Sequence, residues 1–356
     1  MKKVHTDIFT KKSVPFSIEK NSNAASILSK MSNTAFQGRS LGEALRVWEK
    51  ALKNDSVIYF GLSGALTPAG MRKVICFLIE NRLIDVIVST GANLFHDVHQ
   101  SLGGVYYQCS PCADDRALRQ NRYDRMYDVA ASDKEFEDVD WSTLEFAKKL
   151  ENRGYTTREF FFLMGKEVAK QEEDPGIVTT AYRNNVPIFC PAVTDSSFGL
   201  AIATGKARGQ VAFSFDVIND INEMAYFMKC LPNACEIIMG GGTPKNYIQQ
   251  TAVFFDLLTK EDKTLQYCVQ ITQDTPQWGG LSGCTFQESM SWGKIHHTAD
   301  QIACYCDATI ALPLLTQALA DNESWKLRKN IPKWDLASMP KLKPAEIEPP
   351  SSLAKG

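Results

Sequence analysis

The chain has 356 residues, of which 44% are hydrophobic and 22% are charged, and its formal net charge is −2. These values are typical of a globular protein, and the near balance of charge gives no electrostatic argument for binding nucleic acid or an anionic membrane. No apolar run approaches the ~20 residues of a membrane-spanning helix. The charged N-terminus lacks the apolar core of a secretory signal, so we expect a cytoplasmic protein.

The composition divides the chain into three predicted segments. Residues 1–40 are polar and rich in serine and asparagine, without clear periodicity, and predict an arm that docks on the body or on another subunit. Residues 41–325 predict one large domain. Residues 326–356 contain several prolines and lysines and predict an extended or disordered tail.

The apolar spacing of residues 41–53 predicts a first helix. After it, short runs rich in β-branched residues alternate with helical segments. This alternation predicts an α/β fold with a doubly wound, mostly parallel sheet of Rossmann-like type, covered by helices on both faces. Residues 103–142 are charged and predict an irregular insertion. The predicted strands are Val57–Leu62, Val86–Ser89, Val186–Cys190, Val211–Phe215, Glu236–Met239, Tyr267–Ile271 and Ile302–Cys306, and the predicted helices between them include Pro68–Asn81, Thr156–Gln171, Ile218–Lys229 and Asn246–Leu258.

The ten cysteines are scattered, and most lie in apolar surroundings. This distribution is typical of buried free thiols in a reducing compartment. Cys109 and Cys112 form a C-x-x-C motif, but no second pair follows at a suitable spacing. We therefore expect no metal site, and a redox role for this pair stays open as an alternative.

Glycines, hydroxyls and carboxylates recur where the predicted strands end. Open α/β sheets bind ligands beyond the carboxyl ends of their strands, and amides at helix starts can hold phosphates. A strict G-x-G-x-x-G motif is absent, and the threonines could be ordinary helix caps. Six such loops on one edge nevertheless favour a ligand site. They read G-L-S-G-A-L-T from Gly61, S-T-G-A-N from Ser89, P-A-V-T-D-S-S from Pro191, G-G-G-T from Gly240, I-T-Q-D from Ile271 and C-D-A-T from Cys306.

The segment Ser289–Ile295 reads S-M-S-W-G-K-I and places Lys294 two residues after Trp292. A lysine is a nucleophile only when its amine is neutral, and burial or an apolar wall favours the neutral amine. The indole of Trp292 supplies such a wall and can also stack on a bound cation. Gly293 lets the backbone approach a ligand closely. The alternative is a surface lysine beside a core tryptophan, and the strand-end loops make it less favoured.

The order of five motifs resembles the deoxyhypusine synthase family, which includes homospermidine synthases of the same fold. The resemblance covers residues 40–320 and implies NAD as cofactor and active sites between the subunits of a homotetramer. In the implied reaction, hydride leaves the carbon beside the secondary amine of spermidine, diaminopropane departs, and the aminobutyl group forms an imine on a lysine until an acceptor amine displaces it. The motifs are S-T-G-A-N-L-F-H-D, V-P-I-F-C-P-A-V-T-D-S-S-F-G, I-I-M-G-G-G-T-P-K-N, L-S-G-C-T-F-Q-E-S-M-S-W-G-K-I and Y-C-D-A-T-I-A-L-P-L-L.

The resemblance also implies roles for individual residues. Lys294 would be the imine-forming nucleophile, Trp292 a wall of the amine channel and Glu288 an amine ligand. Gly241 fits the glycine turn beside the substrate. The implied cofactor contacts are Ser63, Thr90, Gly91, Ala92, Asp195, Thr272, Gln273, Asp307 and Ala308.

Four positions of the implied amine site depart from the family pattern. Leu200 and Leu281 stand where the family has aspartates. Asn246 replaces a histidine and His96 replaces an acidic residue. Spermidine carries three positive charges near neutrality, and each needs compensation when it is desolvated. The departures therefore predict retained redox and imine chemistry with altered polyamine recognition.

Three functional hypotheses follow from these residues. The first is an NAD-dependent transferase that moves an aminoalkyl group from a polyamine or related small amine to an acceptor amine, with a protein acceptor less favoured. The second is a homologue that binds NAD or a partner without turnover, and the third is a true deoxyhypusine synthase acting on a translation-factor lysine. Retention of Lys294, Trp292 and Glu288 favours the first hypothesis, whereas the departures disfavour the third.

Overall fold

The computed structural model describes residues 12–339 together with 342, 344 and 345. The outer parts of the predicted arm and tail, residues 1–11 and 346–356, lie outside the described residues. The strands are β1 (Ser56–Leu62), β2 (Val86–Ser89), β3 (Tyr107–Gln108), β4 (Tyr123–Met126), β5 (Val129–Ser132), β6 (Gly154–Tyr155), β7 (Ile188–Phe189), β8 (Ser214–Phe215), β9 (Asn233–Met239), β10 (Leu265–Thr272) and β11 (Ile295–Tyr305). The helices are α1 (Ala24–Met31), α2 (Phe36–Lys53), α3 (Arg72–Glu80), α4 (Gly91–Ser101), α5 (Asp115–Gln120), α6 (Asp133–Ala147), α7 (Thr157–Val168), α8 (Ile177–Asn184), α9 (Ser197–Ala207), α10 (Val217–Met228), α11 (Gly242–Thr259), α12 (Phe286–Ser291) and α13 (Ala308–Asp321).

Six strands form a parallel sheet in the order β11-β10-β9-β1-β2-β7. The chain runs outward from β1 to β2 and β7, and then returns to the other side of β1 with β9, β10 and β11. The crevice between the carboxyl ends of β1 and β9 is thus the point where the strand order reverses, which is where open α/β sheets bind ligands. The predicted doubly wound, mostly parallel α/β fold is confirmed, and it forms a single domain.

Both faces of the inner strands of this sheet are buried, which explains their continuous apolar runs in the sequence, whereas the edge strand β11 is mostly half-buried or exposed. Every residue of β1 is buried. Ile58 and Phe60 belong to a core cluster that includes side chains of α2, α3 and α13. Val57 and Tyr59 belong to a second cluster, which includes side chains of α10 and α11. The inner strands therefore cannot carry charge in their middle without a buried partner.

The described part of the predicted arm contains a helix that the sequence analysis missed. The side chain of Asn23 caps the start of α1, and Leu28 is fully buried in the core. The backbone amide of Ala25 donates to the Asp321 carboxylate at 3.1 Å, so α1 docks beside the end of α13. Helix α2 also begins five residues before the predicted boundary, at Phe36 rather than at 41. The domain boundaries themselves stay predictions.

The prediction of an irregular insertion at residues 103–142 is wrong. This segment contains α5, the first part of α6 and a three-stranded antiparallel sheet in the order β3-β5-β4. A two-residue turn at Tyr127 and Asp128 joins β4 to β5. The strands are short and mostly at least partly exposed, so no apolar run marks them in the sequence.

The predicted strand Val211–Phe215 does not join the central sheet. Its strand is limited to β8, which pairs with β6 in a separate two-stranded sheet. Val211 and Phe213 are nevertheless buried in the core. Their burial produces the apolar pattern that the sequence analysis interpreted as a strand of the central sheet.

The described part of the predicted tail is extended and fixed on the body. The buried Arg328 guanidinium donates to both carboxylate oxygens of Asp85 at 2.8 Å. Asp85 in turn accepts a hydrogen bond from the amide of Ile58 at 2.9 Å, so this ion pair lies beside β1. Farther along, the ring of Trp334 packs edge-on against Phe227. No helix in the described part of the chain is long and apolar enough to cross a membrane.

Removing Arg328 should destabilise the fold, because the buried Asp85 carboxylate would lose its two-pronged partner and keep only Arg82, which donates to it at 3.1 Å, as a charge partner. We expect Arg328→Ala to lower the free energy of unfolding by about 3 kcal/mol, measured by urea denaturation. Lys329→Ala is the control, since Lys329 is exposed and surface substitutions usually change stability by less than about 0.5 kcal/mol. Equal effects of the two substitutions would contradict this account of the tail.

Candidate active site

A cavity of about 340 Å³ brings together five of the predicted substrate-site residues. Its walls come from the first turns of α11, the loop between β10 and α12, helix α12 and the segment leading into β11. We call it the lysine cavity. The predicted residues that line it are Lys294, Trp292, Glu288, Asn246 and Leu281, and the further lining residues are Lys245, Gln249, Gln250, Pro276, Gly279, Gly280 and Cys284.

Lys294 occupies the inner part of this cavity. Its side chain is largely buried, and its Nζ donates to Asn246 Oδ1 at 2.9 Å. The Nζ atom also lies 5.7 Å from the centre of the Trp292 ring, within the range of a cation–π contact. Gly293 takes a φ of +68°, a conformation that favours glycine, and turns the chain between α12 and β11 just before Lys294.

The outer rim of the lysine cavity is apolar and exposed. The Trp292 side chain is 66% exposed and Leu281 is 49% exposed. Glu288 lies at the same rim in the first turn of α12, where its amide is capped by the Thr285 hydroxyl at 3.1 Å. The cavity therefore has a buried amine inside and a carboxylate near its opening.

The sequence analysis missed the floor of the lysine cavity. Lys245 is fully buried, and its Nζ donates to Gln270 Oε1 at 2.8 Å and to the carbonyl of Cys284. Gln249 lines the cavity and donates to the buried carboxylate of Glu236 at 2.9 Å. Helical spacing could have indicated these two residues, because Lys245 and Gln249 are four positions apart on α11 and therefore share a face.

A groove runs along the carboxyl ends of the strands at the crevice between β1 and β9. It consists of two adjoining cavities of about 230 and 340 Å³ that share Ser63, Gly64 and Ser282. We call it the strand-end groove. Of the predicted site residues, it is lined by Ser63, Thr90, Gly91, Asp195, Gly241, Thr272, Gln273 and Ala308.

The residues of this groove fit an anionic dinucleotide such as NAD. Helices α4, α11 and α13 begin at the groove, and the free amides of helix starts favour phosphate groups. A Cβ on Gly91 would lie 2.4 Å from the Cβ of Ser196, so only glycine permits this close approach. The Thr90 hydroxyl and the Asn93 side-chain amide both donate to the carbonyl of Gly64 at 2.9 Å and fix the loop after β1.

Two predicted cofactor contacts lie beside the groove rather than in its lining. Ala92 is the second residue of α4 and is partly buried. Asp307 caps α13 and lines a cavity of about 960 Å³ beside the insertion. It is joined to the groove by Gln273, whose side-chain amide donates to the Asp307 carboxylate at 3.2 Å.

Leu200 and His96 do not line the lysine cavity within one chain. Leu200 lies on α9 and is 65% exposed. The ring of His96 packs against Phe136 and is hydrogen-bonded to the hydroxyl of Tyr106 at 2.7 Å. Burial lowers the pKa of His96 to about 4, so this ring is neutral at pH 7. Gly241, predicted beside the substrate, lines the strand-end groove instead of the lysine cavity.

A short segment, residues 282–284, separates the groove from the lysine cavity. Ser282 lines the groove and Cys284 lines the cavity. The side-chain amide of Gln270 donates to the carbonyls of Gly240 at 2.8 Å and of Ser282 at 2.7 Å. The Ser282 hydroxyl accepts from the amide of Gly242 at 2.9 Å. The two sites are thus neighbours that share one wall.

The cysteines form no evident metal centre. All ten are free thiols, and Cys109 and Cys112 lie in the insertion, the former partly buried and the latter exposed. Among residues 12–339, no three histidine, cysteine, aspartate or glutamate side chains converge in a way that could hold a metal ion.

The deoxyhypusine synthase family model matches residues 26–319. This chain belongs to the deoxyhypusine synthase family. A Methanosarcina mazei relative named probable deoxyhypusine synthase 2 is 42% identical over 319 residues, which cover 89% of this chain and 92% of the relative. A second protein of that organism, named probable deoxyhypusine synthase 1, is 35% identical over 300 residues, 84% of this chain and 91% of the relative.

The fold of the deoxyhypusine synthase family is also seen in a solved structure. A protein from Entamoeba histolytica, assigned as a deoxyhypusine synthase, matches with a TM-score of 0.57 at 17% identity. The match covers 85% of this chain and 95% of that protein. Membership of the family implies an NAD-dependent enzyme that transfers an aminobutyl group.

Proposed function

We propose that this protein transfers an aminobutyl-type group from a polyamine or related amine to an acceptor amine, with Lys294 as the covalent nucleophile and NAD bound in the strand-end groove. One observation carries the proposal. The buried amine of Lys294 ends in a cavity that shares a wall with the groove. A nucleophile and a redox cofactor that act on one substrate must be neighbours in this way.

In the proposed mechanism, Thr90, Asp195 and Thr272 of the strand-end groove would help to hold NAD, which would supply reversible hydride acceptance at the carbon beside the donor nitrogen and so allow a C=N bond to form there. The neutral amine of Lys294 attacks the resulting C=N carbon, the bond to the departing amine breaks, and the departing nitrogen leaves with a proton. Lys294 then holds the transferred group as an imine. Attack by the acceptor amine forms the new C–N bond and releases Lys294 as a free amine.

The other residues of the lysine cavity bind and shield the donor in this proposal. Glu288 pairs with a cationic nitrogen of the donor, and the Trp292 ring stacks on its charge or its methylene chain. Asn246 accepts from Lys294 and fixes the direction of its Nζ. Water must be excluded, because an imine hydrolyses when water reaches it.

The charges of the cavity support altered donor recognition. Among the described residues that line it, Glu288 is the single carboxylate, whereas Lys245 and Lys294 both bring amines. A donor with three ammonium groups would leave charge uncompensated when desolvated. We therefore propose a donor other than spermidine, or spermidine bound with help from groups outside one chain.

The exposed apolar rim supports a homotetramer with shared active sites. Trp278 is 82% exposed and lies on the same loop as Leu281, between Pro276 and Gly279, which line the cavity. Large apolar side chains of this kind gain stability when another surface covers them. In such an assembly Leu200 would reach a lysine cavity across a subunit interface.

We propose a small amine as acceptor. The two Methanosarcina mazei relatives show that one organism can hold two members of this family, and this chain is more similar to the one named probable deoxyhypusine synthase 2, at 42% identity against 35%. Two members with one identical task would be redundant, which supports a separate acceptor. A protein lysine as acceptor, as in a true deoxyhypusine synthase, and binding without turnover are the outcomes that the tests below distinguish.

Lys294→Ala and Lys294→Arg should both abolish transfer, a loss in kcat of at least ~10³-fold. Alanine removes the nucleophile, and a guanidinium stays protonated and cannot form the imine. The measurement is chromatography of the products formed from NAD+ and a panel of amines, with NAD+ affinity measured in parallel and expected unchanged. Lys166→Ala, which removes an exposed lysine on α7, is the matched control. Normal transfer by Lys294→Ala would exclude the imine role.

Leu281→Asp should strengthen spermidine binding, because it adds a carboxylate to the lysine cavity. The position is about half exposed, so we expect only a 2- to 5-fold lower Kd, corresponding to about 0.5–1 kcal/mol, measured by calorimetry. Leu281→Asn is the uncharged control, and equal affinities of the two variants would place the amine elsewhere. Leu200→Asp should act similarly only if subunits share the site.

A further inference from the structure

Glu236 is a charged residue inside the central sheet. It lies on β9, aligned with Tyr59 of β1 and Cys268 of β10, and is fully buried. Its Oε1 accepts from the Gln249 side-chain amide at 2.9 Å. Its Oε2 has no hydrogen-bond partner among the described residues. A carboxylate placed this way costs free energy unless a nearby positive charge compensates it.

Lys245 is a fully buried cation on α11, one turn before the Gln249 that donates to this carboxylate. Its Nζ donates to two neutral acceptors, the Gln270 side chain and the Cys284 carbonyl. Its Nζ also lies 5.4 Å from the centre of the Phe286 ring. Burial lowers the pKa of Lys245, and Glu236 is the strongest of the charges that raise it again.

The pKa of Glu236 depends on Lys245 in the same way as the pKa of Lys245 depends on Glu236. Burial raises the pKa of Glu236 to about 7, and the groups that oppose this rise are Gln249, Lys245, Cys268 and Lys294. The hydroxyl of Tyr59, on the neighbouring strand, is directed to the carbonyl of Met224 instead. Two of these four groups are cations, Lys245 and Lys294, and Lys245 is the one that is fully buried.

We propose that Glu236 is the counter-charge of Lys245, and that this buried pair is a positioning element for the wall between the lysine cavity and the strand-end groove. Lys245 holds the wall at Cys284 directly and at Ser282 through Gln270. Gln270 also holds the turn at Gly240. The pairing rests on two contacts: Gln249, one turn along α11 from Lys245, donates to Glu236, and Gln270, which accepts from Lys245, lies two residues after the Cys268 that is aligned with Glu236, on the same face of the sheet. The service of this pair to catalysis rests on the proposed transfer reaction.

The charges of Glu236 and Lys245 determine how firmly the wall is held at each pH. Below the range in which the Glu236 carboxyl loses its proton, Lys245 has no counter-charge and its ammonium is least favoured. Above that range the ionised carboxylate holds the ammonium in place. The wall is therefore held most firmly at and above neutral pH, until Lys245 itself loses its proton.

The first test is carbon NMR of the full-length protein labelled with [6-¹³C]lysine, in which Lys245→Met identifies the Lys245 signal. Glu236→Gln keeps the shape of the side chain and its bond from Gln249 while removing the charge. We expect the titration midpoint of the Lys245 signal to fall by about one pH unit or more, a tenfold change in proton affinity. Glu288→Gln, which removes the exposed carboxylate at the cavity rim, should shift it less.

An unchanged midpoint in Glu236→Gln, or a larger shift in Glu288→Gln, would overturn the counter-charge role. If Glu236→Gln does not fold, Lys245→Met gives the reciprocal test. In protein labelled with [5-¹³C]glutamate, the buried carboxyl that titrates near pH 7 should then shift its midpoint upward by a similar amount. A constant midpoint of that carboxyl would likewise overturn the counter-charge role.

The second test addresses positioning by hydrogen–deuterium exchange. Lys245→Met should speed amide exchange in residues 279–286 by roughly tenfold, while residues 115–126 of the insertion stay unchanged and serve as the internal control. Unaltered exchange in 279–286 would overturn the positioning role. Neither test uses turnover, so failure of the proposed transfer reaction and failure of this inference are distinguishable.

Discussion

Burial of the parallel sheet on both faces is the constraint on which the rest of this structure depends. A strand that packs against helices on each side has no solvent to receive a charge, so polar chemistry is confined to its ends. In this chain the reversal of strand order between β1 and β9 opens the crevice that becomes the strand-end groove. Glu236 is an exception inside the sheet, and a buried lysine accompanies it.

The same constraint explains why two sites with different chemistry can lie side by side. Helix starts and small residues shape the groove for an anionic ligand, whereas α11 and α12 present amines, amides and an indole to the lysine cavity. Residues 282–284, their hydrogen-bonded supports and the first turn of α11 lie between the two. A displacement of this wall would alter both sites at once, so its rigidity matters to the proposed reaction.

The sequence predicted what depends on local pattern. The largely apolar strand Ser56–Leu62 and the polar loops after the strands indicated the sheet and its ligand edge. The short strands around Tyr127 and the single-leucine helix at Ala24–Met31 carried too little periodicity to be recognised. The partnership of Glu236 and Lys245 could not be predicted either, because it links a strand and a helix through tertiary packing. Likewise, only the fold shows Leu200 exposed on α9, away from the lysine cavity of its own chain.

The account depends most on Lys294 carrying a transferred group. The direct measurement is borohydride trapping of the purified protein with NAD+ and a series of amines, read by mass spectrometry of the peptide that contains Lys294. We predict a stable adduct on Lys294 with at least one amine, and its mass would identify the group transferred. Demonstrated NAD binding without an adduct from any amine would contradict the proposed mechanism and favour a homologue that binds without turnover.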